Sequence, residues 1–178
     1  MDKKTVLIID DVKFNVRAAQ DMIGDTYKII GALSAEAGLK VLSHTIPDLI
    51  LLDIMMPEVD GHQVLETLKG TPAYKDIPVI FLTADNNFET EVQGFNEGVV
   101  DYVTKPFVAD VLKKRIQTQI TLAEYRKSLE RENAIMSRII DLISGAEVSG
   151  LTPEVTQELL DLSAQLKTEI SNKGSVNN

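Results

Sequence analysis

The stretch LILLD at residues 49–53 sets four apolar residues directly before a carboxylate. A second stretch, VLIIDD at residues 6–11, repeats that arrangement with two acids at its end. Short, continuous apolar runs of this length are typical of strands that are buried on both faces, as in a parallel sheet. In an open α/β sheet, functional groups gather at the carboxyl ends of the strands. We therefore expect Asp10, Asp11 and Asp53 to lie together at one edge of a parallel sheet.

Apolar runs of strand length alternate along the chain with helical patterns, which predicts a five-fold βα repeat packed in three layers. The predicted strands cover residues 5–10, 27–32, 49–53, 77–83 and 100–104. The predicted helices cover residues 13–24, 34–44, 60–70, 87–97 and 107 onward. Ser34 is a predicted N-cap, and Gly24, Gly70 and Gly98 are expected near helix ends.

The composition limits the class of protein. The chain has 178 residues, 44% of them apolar, which suits one packed domain with a small appendage. The absence of cysteine excludes disulfides and thiolate metal sites. A net charge of −9, from 18 basic and 27 acidic residues, argues against direct nucleic-acid binding. Because the chain shows no apolar run near the roughly 20 residues that span a bilayer, and no secretory signal, we expect a cytoplasmic protein without a membrane segment.

Thr83 and Lys105 end two later strands and are expected to join the acidic cluster. Three carboxylates at such an edge repel, each pair by roughly 4 kcal/mol at about 4 Å, unless a cation enters. Oxygen ligands without histidine favour Mg²⁺ over zinc. Asp53 then has a second role open to it, as a nucleophile that forms an aspartyl phosphate. In such a transfer Mg²⁺, the Lys105 ammonium and the Thr83 hydroxyl with nearby N–H groups can each stabilise one phosphoryl oxygen.

Taken together, these residues resemble a response-regulator receiver domain of bacterial two-component signalling, of the chemotaxis-regulator type. The resemblance covers residues 4 to about 120, and its motifs occur in the family's order and spacing. The motifs are Asp10-Asp11, LLDIMMP at residues 51–57, Asp60-Gly61, Thr83-Ala84 and DYVTKPF at residues 101–107. The resemblance implies a flavodoxin-like (βα)5 doubly wound parallel sheet with the strand order 2-1-3-4-5.

The resemblance also implies a role for each residue of the acidic cluster. Asp53 is the expected phosphoacceptor. Asp11 is the expected direct ligand of Mg²⁺, and Asp10 contributes mainly through water. Asp53 and the backbone carbonyl of Met55 complete the protein's share of the metal shell. Lys105 is expected to pair with Asp53 or with its phosphate.

A switch pair is implied as well. Thr83 and Tyr102 are the expected pair, and Ala84 lies beside Thr83 in the phosphate-binding segment. On phosphorylation the hydroxyl is expected to move toward the phosphate and the ring to turn inward, which reshapes the surface of the fourth helix, the fifth strand and the fifth helix. The Lys105–Pro106 peptide bond is expected to be cis, since proline lowers the cis penalty to about 1 kcal/mol or less.

Ordinary structural roles stay open beside these. Asp11 is also suited to capping the first helix, where Asp is favoured. Tyr102 by itself fits half-buried packing. Asp60-Gly61 is interpreted as a loop and N-cap without chemistry. His44 and His62 are expected to face solvent on helices, which argues against a histidine phosphotransfer protein.

The fifth predicted helix continues from the receiver domain, residues 1–120, into a helical extension, residues 121–178. Neither Pro nor Gly occurs from Val108 to about Ile143, so one helix is expected there. A seven-residue repeat in it predicts a short, partly polar coiled-coil seam, formed by Leu122, Leu129, Met136 and Ile143. An amphipathic helix with an apolar face formed by Ile135, Ile139 and Leu142 fits nearly as well.

A linker at residues 144–151, which contains glycine and serine, is expected to end this helix. The next predicted helix covers residues 152–171, with Thr152 as N-cap and Pro153 at its first position, ahead of a disordered tail. Its apolar face consists of Val155, Leu159, Leu162, Leu166 and Ile170. Because such a face must be buried, we expect a C-terminal helical hairpin that is able to pair into a homodimer.

The sequence therefore predicts a phosphorylation-controlled switch rather than an enzyme with substrate turnover. A sensor histidine kinase or phosphotransfer protein would supply the phosphoryl group to Asp53, and the output would be dimerisation or partner docking. One alternative is the regulatory front end of a larger cyclic-dinucleotide enzyme whose catalytic domain is absent. Another is a haloacid-dehalogenase-like phosphatase, although that family has Asp-x-Asp at its first strand and here the acids are adjacent.

Overall fold

The computed structural model describes residues 3–84, 97–149 and 152–174. The predicted fourth helix, residues 87–97, lies outside these ranges except for its last residue. Contacts within the chain divide it into two compact units, residues 1–123 and 124–178. The predicted domain boundary at residue 120 stays a prediction.

The first unit contains a parallel sheet of five strands. These are β1 (Thr5–Ile9), β2 (Lys28–Ala32), β3 (Leu49–Asp53), β4 (Val79–Thr83) and β5 (Asp101–Thr104). Their order across the sheet is β2-β1-β3-β4-β5, which confirms the predicted order and the flavodoxin-like class. Every residue of β3 and β4 is buried, because helices cover both faces of a sheet of this kind.

Helices on both faces enclose this sheet. The described helices that pack on the sheet are α1 (Lys13–Ile23), α2 (Ala35–Leu42), α3 (Gly61–Gly70) and the first part of α4 (Ala109–Ser149). Helix α4 corresponds to the fifth predicted helix. Side chains of α2 and α3 form one apolar cluster with one face of the sheet. Side chains of α1 and of α4, among them Leu112 and Ile116, form a second cluster with the other face. The predicted three layers are therefore present.

Local capping contacts explain where two of these helices begin. The Ser34 hydroxyl accepts the Ala37 N–H at 3.1 Å, which confirms Ser34 as the N-cap of α2. The Asp60 carboxylate accepts the Gln63 N–H at 2.9 Å, and the Gln63 side chain accepts the Asp60 N–H at 3.1 Å. This reciprocal capping box satisfies two donors at the start of α3 and confirms Asp60 as its N-cap.

Gly61 closes the loop after β3 against the backbone of the strand itself. Its N–H donates to the carbonyl oxygen of Ile54 at 2.8 Å. A Cβ atom at Gly61 would lie 2.4 Å from the carbonyl oxygen of Asp53 and 2.8 Å from the Cα atom of Ile54. Both are main-chain atoms, so a side chain here would displace the end of β3. The loop that follows Asp53 therefore requires glycine at this position.

The second unit is a helical hairpin between α4 and a further helix, α5 (Pro153–Gly174). Arg131 of α4 pairs with Glu169 of α5 at 3.5 Å, and Arg138 pairs with Glu158 at 2.8 Å. The residue of α4 that comes later in the chain, Arg138, pairs with the residue of α5 that comes earlier, Glu158, so the two helices are antiparallel. None of the described helices is both long enough and apolar enough to cross a bilayer.

The two apolar patterns that the sequence leaves open for α4 both exist, on different faces. Ile135, Ile139 and Leu142 are half-buried, as expected for the amphipathic pattern of a hairpin helix. The seven-residue repeat is exposed, with exposed fractions from 38% at Leu129 to 56% at Leu122. We call Leu122, Leu129, Met136 and Ile143 the exposed seam.

The apolar face predicted for α5 is only partly buried. Four of its residues are half-buried, namely Val155, Leu159, Leu162 and Leu166. The fifth, Ile170, is exposed. The hairpin therefore covers most of this face but not its end.

The predicted linker is wrong at its start, because α4 continues to Ser149. A glycine within a helix costs only about 1 kcal/mol relative to alanine, and it lacks the steric block of proline, so Gly145 does not end the helix. Thr152 caps α5, since its hydroxyl accepts the Val155 N–H at 3.3 Å. The helix ends at Gly174 rather than at residue 171. Residues 150–151 and 175–178 of the predicted linker and tail lie outside the described residues.

The contact made by Gly61 leads to a stability prediction. Gly61→Ala should lower the free energy of unfolding by about 1–3 kcal/mol, because the added methyl group overlaps main-chain atoms that pack tightly. Gly70→Ala is the matched control in the same helix, where nothing lies within 4 Å of an added Cβ atom. Chemical denaturation of both variants measures the difference, and equal stability of the two would contradict the proposed role of the loop.

Candidate functional site

Three carboxylates converge where β1 and β3 end. Asp10 and Asp11 follow β1, and Asp53 is the last residue of β3. One oxygen from each of the three lies within 4.8 Å of the others. Asp10 and Asp53 are buried, whereas Asp11 is half-buried. The strand-end pattern in the sequence therefore places these acids correctly.

Lys105 brings a positive charge into this cluster from the end of β5. Its Nζ atom lies 2.8 Å from Oδ2 of Asp10 and 2.7 Å from Oδ2 of Asp53. The backbone N–H of Lys105 donates to the carbonyl oxygen of Thr83 at 2.7 Å, and this hydrogen bond holds Lys105 beside β4. The following Lys105–Pro106 peptide bond is cis. A single ammonium group thus binds two buried carboxylates.

The cluster carries more negative charge than Lys105 neutralises, because three carboxylates face one ammonium group. Burial raises the pKa of the Asp53 carboxyl, and the charge of Asp10 raises it further. Lys105 and the Met55 N–H, which donates to Asp53 Oδ1 at 3.3 Å, act in the opposite direction but do not offset the burial. A cation that entered the cluster would therefore be strongly favoured.

The donor set fits Mg²⁺. All three side chains offer oxygen, which this small ion prefers, and half-buried Asp11 leaves the cluster open to solvent water. Met55 lies two residues after Asp53, and its N–H contacts that carboxylate. The role of the Met55 carbonyl as a ligand stays a prediction.

The alternative role of Asp11 as a helix cap is wrong. The N-cap of α1 is Val12, and no side chain caps it. The Val12 N–H instead donates to Oδ1 of Asp10 at 2.9 Å. Asp10 thereby makes a local turn contact with the residue two positions ahead, and the carboxylate of Asp11 belongs to the cluster.

Asn15 is a site residue that the sequence reasoning missed. Its Nδ2 atom donates to both oxygens of Asp10, at 3.0 and 3.1 Å. The available signal was an amide five positions after Asp10, in the first turn of a predicted helix. That signal is weak, because Asn is common near helix starts for reasons of capping alone.

The predicted switch residues lie on β4, β5 and the loop after β4. Thr83 is buried, and Ala84 is exposed. Tyr102 is 6% exposed, and its ring packs edge-on against Phe81 with centroids 5.7 Å apart. The Tyr102 ring is therefore already inward, more deeply than half-buried packing would place it. The switching role of the pair stays a prediction.

The two histidines differ from each other. His44 is exposed, just after α2. His62, in contrast, is half-buried: its ring packs edge-on against Phe81 with centroids 5.1 Å apart, and its Nδ1 atom contacts Glu97. One side of the His62 ring therefore packs on β4, which contains Phe81. The prediction that His62 faces solvent is wrong in part, since 23% of its side chain is exposed.

The raised pKa of Asp53 has a consequence for stability. An acid whose pKa is higher in the folded state destabilises the fold once the pH exceeds that folded pKa. In metal-free buffer with EDTA, Asp53→Asn should therefore melt at a higher temperature than the wild type at pH 7, while Lys105 keeps Asp10 as its partner. The gain should vanish below about pH 3.9, the ordinary value for Asp, where the acid is protonated in both states.

Thermal denaturation from pH 3 to pH 8 provides the measurement. Asp21→Asn, at an exposed acid of α1 paired with Arg17, is the control and should leave the melting temperature nearly unchanged at pH 7. An equal gain in both variants, or no gain in Asp53→Asn at pH 7, would contradict the destabilising effect of the buried charge.

Known proteins are similar to this chain in sequence. The chain is 39% identical over 129 residues to a Vibrio cholerae protein named "Probable cyclic di-GMP phosphodiesterase", in a match that covers 72% of this chain and 29% of the relative. It is 31% identical over 144 residues to the response regulator PleD of Caulobacter vibrioides, which covers 79% of this chain and 31% of the relative. The match thus spans less than a third of each relative.

A solved structure agrees with the fold. The signal receiver domain of a signal transduction histidine kinase from Syntrophus aciditrophicus matches with a TM-score of 0.61 and 30% identity, over 66% of this chain and 90% of that one. The family model described as "Response regulator receiver domain" matches residues 6–117. That range includes β2 to β5, all of β1 except Thr5, the three carboxylates and Lys105. The chain therefore belongs to the response-regulator receiver domains of two-component signal transduction.

Proposed function

We propose that this protein is a phosphorylation-controlled signalling switch whose phosphoacceptor is Asp53. The observation that carries the proposal is the convergence of Asp10, Asp11 and Asp53 at one edge of the sheet, where the Lys105 ammonium contacts Asp10 and Asp53. A sensor histidine kinase or a phosphotransfer protein supplies the phosphoryl group. The chain itself performs only this transfer and the later hydrolysis, without turnover of another substrate.

In the transfer, a carboxylate oxygen of Asp53 attacks phosphorus. An O–P bond forms, the P–N bond of phosphohistidine breaks, and the imidazole nitrogen keeps the electron pair. Mg²⁺ bound by Asp11 and Asp53 would supply positive charge to the phosphoryl oxygens. The Lys105 ammonium, 2.7 Å from Asp53, neutralises a second oxygen, and the Thr83 hydroxyl at the end of β4 is suited to a third.

Exposed apolar side chains follow the strand ends that carry the cluster. Val12 and Phe14 come after β1, Met55 after β3 and Val108 after β5, with exposed fractions between 46% and 78%. Exposed apolar side chains in the loops that surround a site are suited to contact with another protein. They support docking of the phosphodonor protein, which must bring its histidine to Asp53.

The output is proposed to use the exposed seam of α4. Its four apolar residues recur every seven positions and are left uncovered by α5, which suits pairing with the same helix of a second copy. Phosphorylation would favour the paired state. If the seam does not pair, docking of a downstream partner on the same seam is the alternative output.

A second candidate function has one observation in its favour. The relative named as a cyclic di-GMP phosphodiesterase is matched over only 29% of its length. This chain would then regulate a cyclic-dinucleotide enzyme domain encoded in the same reading frame. Sequencing the frame beyond Asn178 decides between the two. The haloacid-dehalogenase alternative falls with the family assignment.

The phosphoacceptor role predicts a mass change. Incubation with a small acyl phosphate and Mg²⁺ should add one phosphoryl group to the wild type and none to Asp53→Asn. Asp10 also contacts Lys105, but it is fully buried and both of its oxygens are already bound by the Val12 N–H, Asn15 and Lys105. Asp21→Asn should be labelled like the wild type, and EDTA should suppress labelling. Intact-mass spectrometry provides the readout, and a phosphoryl group retained on Asp53→Asn would refute the assignment.

The seam predicts an assembly change. The phosphorylated wild type should show a larger fraction of dimer in light scattering than the unphosphorylated protein. The double variant Leu129→Ser/Met136→Ser should lose this difference, because two seam contacts disappear. The matched control Lys127→Ser/Asp141→Ser changes exposed residues of the same helix without altering net charge and should keep it. Equal masses before and after labelling of the wild type would exclude dimerisation as the output.

A further inference from the structure

Asp10 is the most completely bound carboxylate of the cluster. Its Oδ1 atom accepts the Val12 N–H at 2.9 Å, and its Oδ2 atom pairs with Lys105 at 2.8 Å. The Asn15 amide donates to both oxygens. The residue itself is 0% exposed. A carboxylate has about four lone-pair sites, so little accepting capacity is left.

The position of the Asn15 amide is informative. Its Nδ2 atom is nearly equidistant from the two oxygens of Asp10, at 3.0 and 3.1 Å. It therefore lies on the side of the carboxylate where a cation bound by both oxygens would sit. Asn15 and a two-oxygen cation contact at Asp10 exclude one another.

This exclusion affects cations differently. Ca²⁺ takes six to eight oxygens and readily uses carboxylates through both of their oxygens, whereas Mg²⁺ is smaller, requires octahedral geometry and keeps several waters. A site in which Asp10 is restricted to contacts through water retains what Mg²⁺ needs. The same site lacks a ligand that Ca²⁺ would use.

We propose that Asn15 is a specificity-determining residue, which blocks two-oxygen coordination by Asp10 and so makes the acidic cluster select Mg²⁺ over Ca²⁺. This inference rests on the metal site of the proposed function. Asn15 does not itself touch the ion. It acts through the orientation of Asp10, as residues behind a metal ligand do, and loss of such residues commonly changes metal affinity by about 10-fold to 100-fold.

The test measures metal binding directly, without phosphorylation. Isothermal titration of the full chain with MgCl₂ and with CaCl₂ gives the ratio of the two dissociation constants. The wild type should bind Mg²⁺ more tightly than Ca²⁺. In Asn15→Ala and in Asn15→Leu, which keeps most of the volume but has no donor, the preference should fall by about 10-fold. Asn133→Ala, the same change in the second unit, should keep the wild-type ratio.

Each outcome is decisive. A shifted ratio in both Asn15 variants with an unchanged ratio in Asn133→Ala supports the proposal. An unchanged ratio in folded Asn15 variants overturns it, even if they melt earlier, because a merely structural role would lower stability without altering selectivity. A wild type that binds Ca²⁺ as tightly as Mg²⁺ overturns it without any variant. Phosphoryl labelling of Asp53 is scored separately, so the proposed function can fail while this inference stands.

Discussion

The contact of one lysine with two buried carboxylates organises this site. Lys105 reaches Asp10 from the end of β5 and Asp53 at the same time, so a single side chain links the ends of three strands. Loss of Lys105 would leave two buried carboxylates without their positive partner, which is far more damaging than the net value of the ion pairs. Lys105 thereby fixes the positions of the ends of β1, β3 and β5 relative to one another. The positions at which the following loops begin are fixed as well.

That arrangement is stable but not neutral. Lys105 has one charge to share between two acids, and Asp11 adds a third acid nearby. The raised pKa of the Asp53 carboxyl expresses the remaining imbalance, since burial disfavours its charged form. A site of this kind responds strongly to any change in charge at Asp53, because the ammonium must then redistribute its contacts. The cluster is therefore sensitive to a charged group added at Asp53, because Lys105 neutralises its carboxylates only in part.

The sequence predicts the sheet and the acidic cluster well for a physical reason. Buried parallel strands require continuous apolar runs, and acids at the end of such runs, as at Asp10, Asp11 and Asp53, come to lie at the edge of the sheet. The sequence does not predict side-chain positions that depend on contacts between residues of different elements. The His62 ring packs on Phe81 of the sheet, and Asn15 matters only because α1 sets its amide opposite Asp10. Neither contact has a periodic signature.

The two apolar patterns of α4 show a different limit. Apolar residues that recur every seven positions and apolar residues spaced by three and four positions give similar patterns over a few helical turns. The sequence therefore presents the two faces as alternatives. On the helix they occupy separate faces, and only the face with Ile135 and Ile139 is half-buried. Complete burial of an apolar side chain of this size is worth about 1.5–3 kcal/mol. Burial of the four exposed residues of the seam against another surface would therefore stabilise that association. Because the hairpin covers only the face with Ile135 and Ile139, the exposed seam is available for contact with another molecule.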